Sequence, residues 1–313
     1  MGTPDFSVGT LEALVGAGHD VCLAVTQPDK PKGRGKEMQF TPVKEAALKH
    51  NIPVYQPKKI RDPECVEELK SYHADVMVVI AFGQILPKSI LDMTPYGCIN
   101  VHASLLPKYR GAAPIQWSII EGESVTGVTT MQMDEGLDTG DMILKTEVEI
   151  TDDETGESLH DKLAEAGAKL CVETLKEIEA GTAPFEKQGE SPTDYAKMLT
   201  KELGNIDWTE PAIRIERLVR GLNSWPSAYT HWNGKVMKIW KAKAMDQAPA
   251  TNSDAVLQSL EPGTVVAVEK EAFYVQTGEG VLGVFEVQIP GKKRMDTGSF
   301  LRGYQLEVGI ELV

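Results

Sequence analysis

Asn100-Val101-His102-Ala103-Ser104-Leu105-Leu106-Pro107 is the stretch on which the fold turns. Asn100 and His102 alternate with apolar Ile99 and Val101, so residues 97–102 predict a buried strand whose polar side chains surface at its carboxyl end. In open α/β sheets that end is where ligands bind. Residues 104–107 then form the turn that leaves the strand. Further along, Gly136-Leu137-Asp138-Thr139-Gly140-Asp141 brings a carboxylate in a composition that favours a turn.

An amide, an imidazole and a carboxylate in this pattern suit acyl transfer to an amine. Such a transfer passes through a tetrahedral oxyanion, which the Asn100 amide and a His102 imidazolium can stabilise by donating hydrogen bonds. An α-amino nucleophile titrates near roughly 7.7 to 8 and attacks only when deprotonated, so an acceptor must manage its proton. Asp138 either takes that role or sets the protonation and orientation of His102, and Asp141 is its nearby competitor. No cysteine or serine sits beside a base, because Ser104 belongs to the turn, so direct attack is expected rather than a covalent intermediate. A lone histidine at a strand end is ordinarily structural, but His102 stands apart because Asn100 and the Ser-Leu-Leu-Pro turn accompany it. His160 is expected on a helix surface, and His19, His50, His73 and His231 are expected to lack partners. The spacing of candidate ligands forms no cluster, so no metal is expected.

Outward from this stretch, helix and strand signals alternate. Val8, Leu11, Leu14 and Val15 mark an amphipathic helix ending near Gly16 and Gly18, and residues 21–26 form a β-branched strand. Thr41-Pro42 opens a helix with Pro at its first position, where no donor is needed. Residues 52–55 are a short strand, Asp62-Pro63 starts another helix, and residues 75–81 are a strongly apolar strand. A helix around 115–120 and strands near 127–133 and 142–150 follow, then one long helix over 155–181. Such alternation implies a mainly parallel sheet covered by helices. The GxGxxG spacing of dinucleotide-binding turns is absent. Beyond a helix over 211–222 the pattern changes to strands at 228–232, 235–242, 264–268, 272–276 and 281–288. Asn233-Gly234 between the first two is a strong hairpin signal. These strands suggest a small barrel.

At 313 residues the chain exceeds the roughly 100 to 200 of one domain. It has no apolar run long enough to span a bilayer and no basic-then-apolar leader, so no membrane association and a cytoplasmic location are expected. Four scattered cysteines, Cys22, Cys65, Cys98 and Cys171, argue for reduced thiols and against structural zinc. The net charge of −14 taken as a sum opposes a nucleic-acid partner, but its distribution matters more. Residues 205–313 carry 12 Lys and Arg against 13 Asp and Glu, whereas 147–190 carry 13 acids against 4 lysines. The acidic stretch reads as a solvated helix face turned away from nucleic acid.

Several runs resemble the folate-dependent formyltransferases: Asn100-Val-His-Ala-Ser-Leu-Leu-Pro107, Leu137-Asp-Thr-Gly-Asp141, Arg110-Gly-Ala-Ala-Pro-Ile-Gln116, Gly2-Thr-Pro-Asp-Phe6, Thr26-Gln-Pro-Asp-Lys-Pro-Lys-Gly-Arg-Gly-Lys36 and Met131-Gln-Met-Asp134. The resemblance covers most of the first 150 residues, and the long tail points to the tRNA-formylating branch rather than to single-domain relatives that formylate glycinamide ribonucleotide. It implies an α/β fold: a Rossmann-like, mainly parallel sheet in a catalytic domain over 1–182, a linker over 183–204 and an OB-like β-barrel over 205–313 that binds tRNA. It makes Asn100, His102 and Asp138 catalytic. Ser104, Leu105, Leu106 and Pro107 would lie against the folate, as would Phe82, Gly83 and Ile85 beside the pterin. The donor implied is 10-formyltetrahydrofolate as co-substrate, with no metal, and the acceptor is charged initiator tRNA. Arg34 and Lys36 are expected to meet the acceptor stem, and Lys238, Lys241, Lys292, Lys293 and Arg294 the tRNA elsewhere, near Trp232 and Trp240. A monomer is expected.

In the resembled family a strand precedes the Gly-Thr-Pro-Asp-Phe turn, whereas this sequence opens at Met1. The strands on either side are therefore expected to lack backbone partners unless an earlier start, another segment or another chain completes the sheet. Two other functions stay open on the residues: donor hydrolysis or formylation of a small amine with the same three side chains, and a noncatalytic tRNA-binding protein.

Overall fold

Thr41 shows how directly this sequence writes local structure: its hydroxyl accepts from Lys44 N–H at 3.3 Å, and Pro42 occupies the first helical position. The computed structural model describes residues 1–32, 37–249 and 261–313. Contacts divide it into two units, Met1–Pro114 with Val125–Glu149 and His160–Ala196, and Ile115–Ser124 with Ile150–Leu159 and Lys197–Val313.

The elements of the first half are α1 (Val8–Gly16), β1 (Ala24–Val25), β2 (Lys30–Lys32), β3 (Glu37–Gln39), α2 (Pro42–Lys49), β4 (Val54–Tyr55), α3 (Pro63–Lys70), β5 (Met77–Val79), α4 (Lys88–Leu91), β6 (Cys98–His102), α5 (Pro114–Ile120), β7 (Val125–Gln132), β8 (Met142–Glu149) and α6 (Gly156–Ala180). β1 pairs with β4 in parallel, and a four-stranded sheet runs β5-β6-β7-β8. Only β5 and β6 are parallel within it; β7 and β8 continue antiparallel. β2 and β3 pair as a short antiparallel ribbon.

Between the two parallel groups the backbone pairing is made by Met1 and Gly2. Met1 N donates to the Val78 carbonyl at 2.6 Å, Ile80 N–H donates to the Met1 carbonyl at 2.9 Å, and Gly2 N–H donates to the Val25 carbonyl at 2.9 Å. Two residues thus occupy the lane between β1 and β5. Behind them lies a cleft of about 580 Å³, lined by residues 20–25 of one edge and 74–78 of the other. This explains why the strands predicted over 21–26 and 75–81 shrink to two and three residues. Alternation turns the backbone of Leu23, Val25, Val76 and Val78 into the cleft, where, among the described residues, no strand pairs with it along most of its length.

Beneath the carboxyl end of β6 the sheet is dry. Leu106, Met131 and Met142 form one buried cluster. A second surrounds Ile90, Leu91 and Cys98. On α6, Gly167 allows close approach to Val101 and Val128, and the Thr174 and Thr130 hydroxyls hydrogen-bond at 2.7 Å.

In the second unit, α7 (Ala212–Gly221) precedes β9 (Ala228–Trp232), β10 (Lys235–Met245), β11 (Val265–Val268), β12 (Phe273–Gln276), β13 (Val281–Gln288), β14 (Met295–Asp296) and α8 (Thr297–Gly303). The antiparallel order is β11-β12-β13-β10-β9, with β14 beside β13. The last residues close this sheet on itself. Val313 exchanges hydrogen bonds with His231 on β9, while Val265 N–H donates to the Ile310 carbonyl and Leu312 N–H to the Gly263 carbonyl, each at 2.8 Å. Closure removes exposed edges, and Phe273, Val275, Leu282, Val284 and Phe300 fill the interior.

Candidate active site

β6 carries Asn100 and His102 two residues apart, hence on one face; their register partners on β7 are Met131 and Thr129. The turn after β6 is tied down by buried hydroxyls. Thr129 Oγ1 donates to the Ser104 carbonyl at 2.7 Å and accepts from Leu106 N–H at 3.0 Å. Ser104 Oγ donates to the Lys108 carbonyl at 2.6 Å. Ser104 therefore shapes the turn, and no base stands beside it.

His102 is buried, and its Nε2 lies 3.0 Å from the Tyr109 carbonyl. A carbonyl only accepts, so Nε2 carries the proton. Nδ1 is left facing Asp138 Oδ2 at 3.7 Å. The same Oδ2 accepts from Gly111 N–H at 2.9 Å. Gly111 has φ +120°, and a Cβ there would come within 2.7 Å of the Ala196 carbonyl oxygen, so this donor position demands glycine. Asp138 itself has φ +55°, a conformation that Asp tolerates better than most residues. Its loop is stapled by Asp134, which accepts from Gly136 N–H at 3.0 Å and Thr139 Oγ1 at 2.8 Å. Asp141 instead sits 3.3 Å from Lys187 Nζ.

Asn100 is half-buried, and among the described residues its amide has no hydrogen-bond partner. A free amide, an imidazole nitrogen and a carboxylate oxygen are what this strand end offers to a reacting carbonyl and its nucleophile. Burial pushes the Cys98 and Cys171 thiols up to about 12, which makes both poor nucleophiles. Among the described residues no cluster could hold a metal ion.

The other expected site residues fall into groups. Leu106 and Phe82 are core residues at 1% and 2% exposure, so a ligand would meet their backbone. The Phe82 carbonyl already accepts from Thr3 Oγ1 and Gln27 Nε2. Gly83 has φ +82°, Leu105 and Pro107 are half-buried, and Ile85 is 88% exposed. In the barrel, Lys238 Nζ and the Arg294 guanidinium lie 5.6 Å and 4.9 Å from the Trp240 ring, and Arg294 makes a two-pronged ion pair with Glu286. Lys241, Lys292 and Lys293 are exposed. Arg34 and Lys36 lie outside the described residues. His50 and His231, expected to lack partners, have them across long sequence separations. His50 Nε2 meets Glu12 at 2.6 Å, and His231 Nδ1 meets the Val313 carbonyl at 2.9 Å.

Sequence reasoning missed Tyr109, Thr129, Thr193 and Gln188. Tyr109 supplies the carbonyl on His102, and its N–H donates to Thr193 Oγ1 at 2.8 Å. Gln188 Nε2 donates to the carbonyls of Asp138 and Gly140. Nothing in their spacing marks them, because each contact joins segments far apart in sequence.

A formyl transferase model matches residues 1–175 and a formyl transferase C-terminal domain model residues 198–305. A methionyl-tRNA formyltransferase of Agathobacter rectalis is 63% identical over 309 residues, covering 99% of this chain and 97% of that one. The chain belongs to the methionyl-tRNA formyltransferase family. A relative of the same name from Clostridioides difficile is 52% identical over 312 residues, covering 100% of this chain and 98% of that one. Among solved structures, the N-formyltransferase of Helicobacter canadensis with folinic acid and dTDP-3-aminofucose superposes with a TM-score of 0.65 at 19% identity, over 92% of this chain and 97% of that one. HypX of Aquifex aeolicus with tetrahydrofolic acid gives 0.56 at 19% identity, over 84% of this chain and 47% of that one. These two speak for the fold alone. Family membership makes the chain a folate-dependent one-carbon transferase, which disposes of the noncatalytic reading.

Proposed function

We propose that this chain transfers the formyl group of 10-formyltetrahydrofolate to the free amino group of methionine esterified to initiator tRNA, giving N-formylmethionyl-tRNA for translation initiation. The observation that carries the catalytic assignment is the pairing of His102 Nδ1 with Asp138 Oδ2 at 3.7 Å, beside an Asn100 amide with no protein partner among the described residues. In the reaction the acceptor nitrogen adds to the formyl carbon, and the carbonyl oxygen becomes an oxyanion. Asn100 donates to that oxygen, and His102 does so through Nδ1, the nitrogen not engaged by the Tyr109 carbonyl, when that nitrogen carries a proton. The bond from carbon to the donor nitrogen then breaks, and the proton lost by the acceptor amine is delivered to the departing nitrogen. Asp138 holds the positive charge on His102 and keeps Nδ1 oriented. Ser104, Leu105, Leu106, Pro107, Phe82, Gly83 and Ile85 border the folate, the first and the buried ones through the backbone they hold in place.

For tRNA we assign Lys238, Lys241, Lys292, Lys293 and Arg294 on the barrel, with Arg34 and Lys36, which lie outside the described residues. Exposed Lys side chains suit phosphates, and an aromatic ring beside two cations, as at Trp240, suits the unpaired end of a tRNA. The chain is assigned to the cytoplasm as a monomer. No helix among the described residues is long and apolar enough to cross a membrane.

The test incubates the pure protein with donor labelled in the formyl group and with charged or uncharged initiator tRNA. Label should move to the methionyl amine only with charged tRNA, and Arg34→Ala should impair tRNA use far more than folate binding. Release of labelled formate independent of tRNA would instead make the chain a hydrolase of the same donor. Light scattering that returns twice the 34.2 kDa chain mass would overturn the monomer.

A further inference from the structure

We infer that Gln188 is a positioning residue that holds the Asp138 carboxylate against His102, a role that rests on the assignment of those two residues to the chemistry. Gln188 lies in a stretch rich in Gly, Pro, Lys and Glu that reads as a connecting segment. In the structure that stretch crosses the active-site loops. Glu186 and Met142 exchange backbone hydrogen bonds, both at 2.7 Å, and Ala196 N–H donates to the Arg110 carbonyl at 2.7 Å while its own carbonyl accepts from Ala112 N–H at 2.8 Å. Between these anchors, residues 186, 187, 189 and 190 are exposed, whereas Gln188, Ser191 and Thr193 are half-buried.

Its amide is saturated. Nε2 donates to the Asp138 carbonyl at 2.9 Å and to the Gly140 carbonyl at 2.8 Å, while Oε1 accepts from Arg110 Nε at 2.8 Å. These partners fix which amide atom is which, since the reverse orientation would set oxygen against two carbonyls. Arg110 Nη2 also donates to the Gly189 carbonyl at 2.9 Å. One side chain therefore links the loop that carries Asp138 to the turn that carries Tyr109 and Gly111, and those supply the carbonyl on His102 and the N–H on Asp138. Asp138 sits in left-handed backbone, so its own conformational preference does not hold it there. The two donors from Gln188 act on either side of Thr139 and fix the peptide planes that aim the carboxylate.

A displacement on the order of 1 Å at a reacting group can cost roughly 100-fold in rate. Gln188→Glu keeps the shape and the Arg110 partner but removes both donors. It should lower kcat roughly 10- to 100-fold, as should Gln188→Ala, with affinity for tetrahydrofolate changed less than about twofold and with the limb of the kcat–pH profile that reports the His102–Asp138 pair displaced. Gln188→Met, which fills the same space, keeps the test open where the Ala variant does not fold. Lys187→Ala, next door but exposed, should behave as the parent. Near-parental kcat in the Glu and Met variants, with only the melting temperature lowered, would reduce Gln188 to a structural staple and overturn the inference. Asp138→Asn is measured alongside. If it retains activity, the reading of the site itself fails; if it is inactive while the Gln188 variants are not, only the role of Gln188 fails.

Discussion

The carboxyl end of β6 and the lane between β1 and β5 belong to the same unit and are built in opposite ways. At the first, the turn and loops are cross-tied by Thr129, Ser104, Asp134, Thr193 and Gln188, and the polar groups that remain available are those the chemistry uses. At the second, two residues bridge strands whose backbone otherwise faces a cleft of about 580 Å³. Function is held where side chains from distant segments converge. In the lane the backbone pairing comes from Met1 and Gly2, with Ser7 Oγ donating to the Ile80 carbonyl at 2.7 Å.

Four measurements would break or sharpen that contrast. Asp138→Asn should cut kcat roughly 1,000-fold, about 4 kcal/mol of barrier, while the melting temperature moves little. A loss under tenfold would remove Asp138 from the chemistry. Leu106→Ala, in the dry cluster below the turn, should destabilise by about 3 kcal/mol in denaturant unfolding, whereas Val78→Ala beside the cleft should cost about 1 kcal/mol; equal costs would mean that the lane is packed as well as the site.

Asn100→Ala should lower kcat roughly 100-fold without weakening folate affinity. A pure KM effect would make Asn100 a binding group rather than an oxyanion donor. The smallest effect is a pH dependence. Desolvation lowers the Met1 ammonium from its ordinary 8.0 to about 6. The unfolded chain thus binds this proton more readily, and stability is fullest above pH 8 and falls as pH drops through 8 towards 6, by about 3 kcal/mol in all. Thermal melts of a chain starting at Met1 should show this slope. Joining a short apolar strand to Met1 should flatten it and raise the melting temperature, because an amide replaces the ammonium and the lane gains a ladder. A slope unchanged by the fusion would show that other groups, not the Met1 amine, produce it.

Much of the fold was legible in local patterns. Thr41-Pro42, Asn233-Gly234 and the alternation of 281–288 each mark an element that is present, because caps, turns and strand faces depend on near neighbours. The ribbon of β2 and β3, the antiparallel course of β7 and β8, and barrel closure by residues 310–313 were not legible, since each rests on pairing between segments whose compositions do not specify a partner. His50 and His231 teach the same lesson, as their partners are 38 and 82 residues away.

The sequence by itself determined the chemical inventory and the strand that presents it: Asn100 and His102 on one face, a turn behind them and a carboxylate in a later loop. Period-two alternation and turn chemistry are local and survive without knowledge of the rest. The residues alone leave Asp138 and Asp141 as competitors, and the family resemblance chooses Asp138; the tertiary structure sets Asp138 against His102 and Asp141 against Lys187, and only it shows that Gly111 and Gln188 hold Asp138 there. Those outcomes depend on hydrogen bonds between distant segments, which become favourable only once the packed sheet has brought their ends together.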